Sequence, residues 1–158
     1  MDEELFSRLE ESKKRLHELR HKHTRQHYQE LAEARAKGIP VAWSLGMAPM
    51  EVLQSQGVLV CFPENYTTIL CAKQMAEPFC ECSEEMGYSR DLCSYGRCIL
   101  GMMYKDDGPW GPLPKPDFIV CDPVWCDCHS KLWEIPARHY GVPLFKLDGA
   151  FRIGDREE

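Results

Sequence analysis

The chain has 158 residues, long enough for one domain with a substantial core and too short to promise two. Its composition is globular, 44% hydrophobic and 28% charged, and it contains no low-complexity tract. A formal net charge of −6 gives a nucleic-acid partner no electrostatic support, and no apolar run reaches the length of a membrane span.

The N-terminus, "MDEELFSRLEESKKRLHELRHKH", lacks the apolar stretch of a secretory signal, so the expected location is cytoplasmic. Residues 3–36 read as one long helix: Leu5, Leu9, Leu16 and Leu19 recur at helical spacing, and no Pro or Gly interrupts before Gly38. His17/His21 and His23/His27 are i,i+4 pairs that could bind a metal. No carboxylate or cysteine is placed to complete a shell, so they read as surface residues.

From Gly38 the pattern changes to strand–helix alternation. The run 39–43 is a short apolar strand, and Pro49 then suits a first helical position with Glu51 in the first turn. Gly57 stops that helix, and 58–62 is the next strand. The segment 63–116 is a sulfur-rich insertion. Its first part is helical, kinked or split at Pro78, and a second helix runs from an N-cap at Ser89 through "DLCSYGRCILGMMY". A proline- and glycine-rich loop leads back to a third strand, 117–122. A largely helical stretch follows and ends at Gly141, before a fourth strand, 142–148. Short apolar strands separated by helices indicate an open parallel α/β sheet with flanking helices, one half of a Rossmann- or flavodoxin-like arrangement. The expected organisation is an N-terminal helix over 1–37, then an α/β domain over 38–158 with the Cys-rich helical insertion at about 63–116.

Nine cysteines are many for a cytoplasmic domain of this size, and with an odd count they read as reduced thiols, some buried and some bound to metal. On a helix, Cys80 and Cys82 lie about 200° apart and Cys93 and Cys98 about 140° apart, so neither pair can chelate one ion. Cys61, Cys71 and Cys121 read as small core hydrophobes. No C-x-x-C pair exists, so the zinc-ribbon and thioredoxin signatures are missing. Cys93 falls in the first turn of its expected helix, where free N–H groups and the helix dipole stabilise a thiolate. Cys126 follows the third strand at its carboxyl end, the edge where ligands bind in an open α/β sheet, with Asp127 and His129 beside it. Two thiolates meeting there would favour an anionic ligand, and an iron–sulfur cluster is one.

Three blocks carry a resemblance: "GIPVAWSLGMAPMEVLQSQGVLVCFPEN", "SRDLCSYGRCILGMM" and "LPKPDFIVCDPVWCDCHSKLWEIPARHYGVPLFKLDGAF". In this order they resemble the benzoyl-CoA reductase / 2-hydroxyacyl-CoA dehydratase family, and look closest to a benzoyl-CoA reductase B-type subunit. The resemblance implies a [4Fe-4S] cluster held by three cysteines per subunit, with Cys93 and Cys126 matching two of them. It implies a homologous second subunit, an ATP-hydrolysing activator as electron donor, and an acyl-CoA substrate transformed by low-potential single-electron (ketyl radical) chemistry. The family's third cysteine comes from a second, similar domain further along a longer chain. The sequence given ends at "DGAFRIGDREE". It is therefore a fragment, or its other half is a separate polypeptide, or a local thiol such as Cys128 substitutes. Glu51 either satisfies its helix dipole or acts on a substrate proton from the ligand edge. Trp43 and Ser44 share that edge and could line the acyl-CoA pocket, with Trp110 and Trp125 as further wall candidates. The rival readings are a non-catalytic α/β assembly module and a zinc-binding structural domain.

Overall fold

The computed structural model describes residues 3–44, 49–122 and 127–147. In chain order the elements are α1 (Glu3–Ala34), β1 (Val41–Ser44), α2 (Met50–Ser55), β2 (Leu59–Cys61), α3 (Pro63–Ala72) and α4 (Glu77–Glu85), then α5 (Ser94–Lys105), β3 (Phe118–Cys121), α6 (Asp127–Leu132), α7 (Glu134–Tyr140) and β4 (Leu144–Lys146). The four strands form one sheet in the order β2-β1-β3-β4, and every pair is parallel. The expected α/β architecture with a long N-terminal helix is what the chain adopts.

The strand register follows from the alternation of side chains. Trp43 pairs with Cys61 on one side and Ile119 on the other, so these three share a face. Against it pack Tyr28, Leu31 and Ala34 of α1, Leu70 of α3, and Ile99, Leu100 and Met102 of α5. Asp117 pins the amino ends of β1 and β3: its carboxylate accepts from the Val41 N–H at 2.8 Å, and its own N–H donates to the Val41 carbonyl at 2.7 Å. The other face carries Phe118 and Val120, with Phe145 opposite Val120. With Val52 and Leu53 of α2 they line an apolar groove of about 580 Å³, in which Phe145 is 54% exposed.

The insertion divides where the chain turns sharply. Between α3 and α4, Gln74 takes a φ of 58°, and Pro78 sits in the first turn of α4, where its missing N–H costs nothing. The helix expected from Ser89 begins only at Ser94. Ser89 and Asp91 instead form a local turn, the Asp91 N–H donating to Ser89 Oγ at 3.1 Å, a use of serine that competes with helix formation. At the other end Gly141 takes the left-handed conformation (φ 66°) and caps α7, its N–H donating to the Ala137 carbonyl.

α1 meets the body along its later turns, where Tyr28, Leu31 and Ala34 are buried. Its exposed leucines include Leu16, at 68%, and Leu5, Leu9 and Leu19 are also exposed. His17, His21 and His23 lie on this exposed stretch as expected, whereas His27 does not. Its ring lies 6.3 Å from that of Phe62, and Nε2 is buried without a hydrogen-bond partner among the described residues. Burial lowers its pKa from 6.5, opposed by a backbone hydrogen bond to Val60 and by Glu30. The unfolded chain therefore takes up this proton first, so stability is lost as pH falls through 6.5 and is unaffected by His27 above it. His27→Leu should flatten the drop in urea midpoint between about pH 7 and about pH 5; an unchanged drop would mean that other groups set it.

Candidate functional site

Strand order places the topological switch point between β1 and β3, which lead off in opposite directions across the sheet. In such sheets a crevice forms outside the carboxyl ends of those strands, here at Ser44 and Cys121. A cleft of about 620 Å³ lies at the opposite, amino edge, lined by Arg35, Asp106, Lys115 and His139 among others. Topology favours the carboxyl edge.

Four helices begin at that edge. α2, α3 and α6 follow β1, β2 and β3 directly, and α5 packs beside α6. A Cβ placed on Gly96, in the first turn of α5, would lie 3.9 Å from Cys128 Sγ and 3.4 Å from Leu132 Cδ1. The first turn of α5 and α6 therefore lie side by side, with Gly96 facing Leu132 and Cys128. α6 is also tied to α3: His129 Nε2 lies 2.8 Å from Glu64 Oε1, both side chains being largely shielded.

Cys93 is the N-cap of α5 rather than a residue of its first turn. Its backbone is extended (φ −48°, ψ 129°), its side chain makes no capping hydrogen bond, and the thiol is exposed. The Cys93 side chain thus leaves the first-turn N–H groups of α5 uncapped, and a helix terminus of this kind favours negative charge. Arg97 fixes the preceding turn. Its Nε donates to the Leu92 carbonyl at 3.1 Å, while Nη1 bonds Glu84 Oε1 at 2.5 Å and Arg90 takes Glu84 Oε2 at 2.8 Å. Position 93 is therefore held through its neighbour's backbone by a charge network reaching α4. Sequence reasoning misses this network. The i,i+4 offset between Cys93 and Arg97 is the available signal, but the Glu84 partner comes from the tertiary fold.

Cys93 and Cys128 thus flank the same helix terminus. Cys126 and Trp125 lie outside the described residues. Among the described residues no three His, Cys, Asp or Glu side chains converge as a metal site. The donor set is thiol-rich, the chemistry that suits iron–sulfur ligation, so the residues present fit a cluster in kind. Glu51 sits exposed in the first turn of α2.

Trp43 and Ser44, expected on a pocket wall, are fully buried. The Trp43 indole N–H donates to the Pro114 carbonyl at 2.7 Å, and its ring packs edge-on to Tyr140. Ser44 Oγ donates to the Val120 carbonyl at 3.0 Å, bridging β1 and β3. Both lie in β1, one of the two central strands, with their polar atoms hydrogen-bonded within the fold. Trp110 packs instead at a tilt against Tyr28 and edge-on to Tyr66, with the Lys73 ammonium 5.2 Å from the centre of its ring.

The bland reading of the remaining cysteines holds for two of three. Cys61 and Cys121 are fully buried, and burial raises both thiol pKa values. Cys71 is exposed, because α3 turns Tyr66, Thr67 and Leu70 inward and the next residue rotates about 100° away.

Comparison with known proteins agrees with this architecture. Residues 45–150 match the family described as 2-hydroxyglutaryl-CoA dehydratase, D-component. The (R)-phenyllactyl-CoA dehydratase alpha subunit of Clostridium sporogenes is 34% identical over 116 residues, 73% of this chain and 28% of that protein. The (R)-2-hydroxyisocaproyl-CoA dehydratase alpha subunit of Clostridioides difficile is 32% identical over 128 residues, 81% of this chain and 31% of that protein. The B subunit of benzoyl-CoA reductase from Thauera aromatica is 31% identical over 67 residues, 41% of this chain and 16% of that protein. The chain spans about a third of the length of the dehydratase subunits it matches. With 45–150 matched and the parallel sheet in place, the chain belongs to the 2-hydroxyglutaryl-CoA dehydratase D-component family.

Proposed function

We propose that this chain is the cluster-ligating N-terminal part of a 2-hydroxyacyl-CoA dehydratase, removing water from a 2-hydroxyacyl thioester to leave the unsaturated acyl-CoA. Dehydration is favoured over reduction because the dehydratase alpha subunits align over more of the chain than the benzoyl-CoA reductase relative does. The observation that carries the reading is the placement of Cys93 as an exposed N-cap beside Cys128 at the carboxyl edge of the sheet.

Cys93 and Cys126, with Cys128 as the local third thiol, would hold a [4Fe-4S] cluster. When bound, that group supplies low-potential single-electron chemistry. The chain's own part is electrostatic and positional. The α5 terminus stabilises negative charge beside Cys93, and Arg97 with Glu84 fixes the turn that presents it. Glu51, exposed on the same edge, is the group able to carry a proton to or from substrate. A homologous second subunit and an ATP-hydrolysing electron donor complete the system in this reading. The matched relatives are themselves named as subunits, which supports a partner chain.

Anaerobic reconstitution with iron and sulfide tests the assignment. The wild-type chain, supplied with any co-encoded subunit, should bind iron and give a cluster signal by Mössbauer or EPR spectroscopy. Cys93→Ala/Cys126→Ala should bring iron down to background. Equal iron in the two proteins would overturn the ligand assignment, and about one equivalent of zinc without iron would select a structural zinc domain instead.

A further inference from the structure

The insertion holds a second thiol arrangement that the proposed chemistry does not use. Cys80 Sγ of α4 and Cys98 Sγ of α5 lie 3.4 Å apart. They meet because the two helices touch backbone to backbone next to them. A Cβ on Gly101 would fall 1.9 Å from the Phe79 carbonyl oxygen. Cys80 follows Phe79 directly, and Cys98 sits one turn before Gly101, so the closest approach of the helices brings both sulfurs into van der Waals contact. Cys98 is 1% exposed, with Sγ 3.9 Å from the Ala76 carbonyl. Cys80 is half-buried, with Sγ 4.0 Å from the Ser94 carbonyl.

We propose that Cys80 and Cys98 are a covalent modification site: a dithiol that a small-molecule disulfide converts reversibly to a cross-link between α4 and α5. The sulfurs must close from 3.4 Å to about 2.05 Å, a short approach for two sulfurs already in contact. Cys80, the more accessible, reacts first. Its thiolate attacks one sulfur of R–S–S–R, that S–S bond breaks, and the leaving thiolate takes up a proton as RSH. Cys98, giving its proton to solvent, then attacks Cys80 Sγ and expels the second RSH. Two protein thiols are oxidised by two electrons, and one disulfide is reduced to two thiols. Burial and the hydrogen bond to Cys80 raise the Cys98 pKa, while the 3.4 Å separation makes its attack intramolecular. The linked atoms lie next to Ser94, the residue after the Cys93 cap, so the cross-link braces the turn that carries that thiol. The proposal does not depend on cluster binding at Cys93.

The test uses the full chain, reduced and metal-free, incubated with oxidised glutathione, then alkylated and digested with trypsin. The expected product is the peptide spanning 74–90 linked to the peptide spanning 98–105, restored to free thiols by dithiothreitol. Cys82 shares the first peptide, so Cys82→Ser should keep the link and Cys80→Ser should abolish it, with circular dichroism confirming that both variants fold. Cys71, exposed and within electrostatic range of Cys98, is the competing partner. A Cys71–Cys98 link, glutathione retained on Cys80 with Cys98 still alkylated, or a link surviving in Cys80→Ser would each overturn the proposal.

Discussion

Gly101→Ala should destabilise the chain by about 3 kcal/mol or more, a large share of the roughly 5–15 kcal/mol available to a domain of this kind. In an ordinary helix interior the same change gains up to about 1 kcal/mol, because alanine has less backbone freedom to lose. The sign reverses here because the added methyl would lie 1.9 Å from the Phe79 carbonyl oxygen. The obstacle is backbone, which cannot rotate aside, so α4 and α5 must separate and open the core around Ile99 and Met102. Gly96→Ala is the internal control. Its Cβ meets only Leu132 methyl carbons at 3.4–3.5 Å and Cys128 Sγ at 3.9 Å, so it should be neutral or stabilising. Urea denaturation of the three proteins decides the matter. Equal losses for the two variants would mean that the helices do not touch at Gly101.

Trp43→Ala should cost about 3–5 kcal/mol. The ring is wholly enclosed at the centre of the sheet, against Tyr140 and between the β2 and β3 partners Cys61 and Ile119. Trp43→Phe should recover most of the packing yet leave the Pro114 carbonyl without its 2.7 Å donor, a loss of about 1–3 kcal/mol. Both are read as shifts in denaturation midpoint. Unchanged midpoints in both variants, with a change in acyl-CoA binding, would return Trp43 to the pocket wall.

Much of the fold is legible because its determinants are local. Apolar runs of four or five residues bounded by Gly57, Gly141 and prolines mark the four strands, and the helices between them dictate parallel pairing. The site is legible only in part. The helical angle between Cys80 and Cys82 applies, since both lie in α4, whereas the one between Cys93 and Cys98 does not, because Cys93 stands outside α5 as its cap; neither angle says anything about two helices pressed together. The Cys80–Cys98 contact depends on the gap at Gly101, which no periodicity records. Ser89, a good capping residue, suggests a start for α5 four residues before the real cap. That serine serves a turn instead, and the cap is Cys93, a residue with little intrinsic preference for the position. Cys71 reads wrongly as core because a cysteine in an apolar helix looks buried until the inward face, set by Tyr66, Thr67 and Leu70, is known.

The early turns of α1, from Glu4 to Leu16, reach about 20 Å with their side chains exposed. A rod without lateral support is sustained by local hydrogen bonding alone, and that is marginal in water. The domain and its lever arm are therefore thermodynamically separable. Shortening the arm changes how far the molecule reaches and how it tumbles, while the melting of the sheet and its packed helices stays the same.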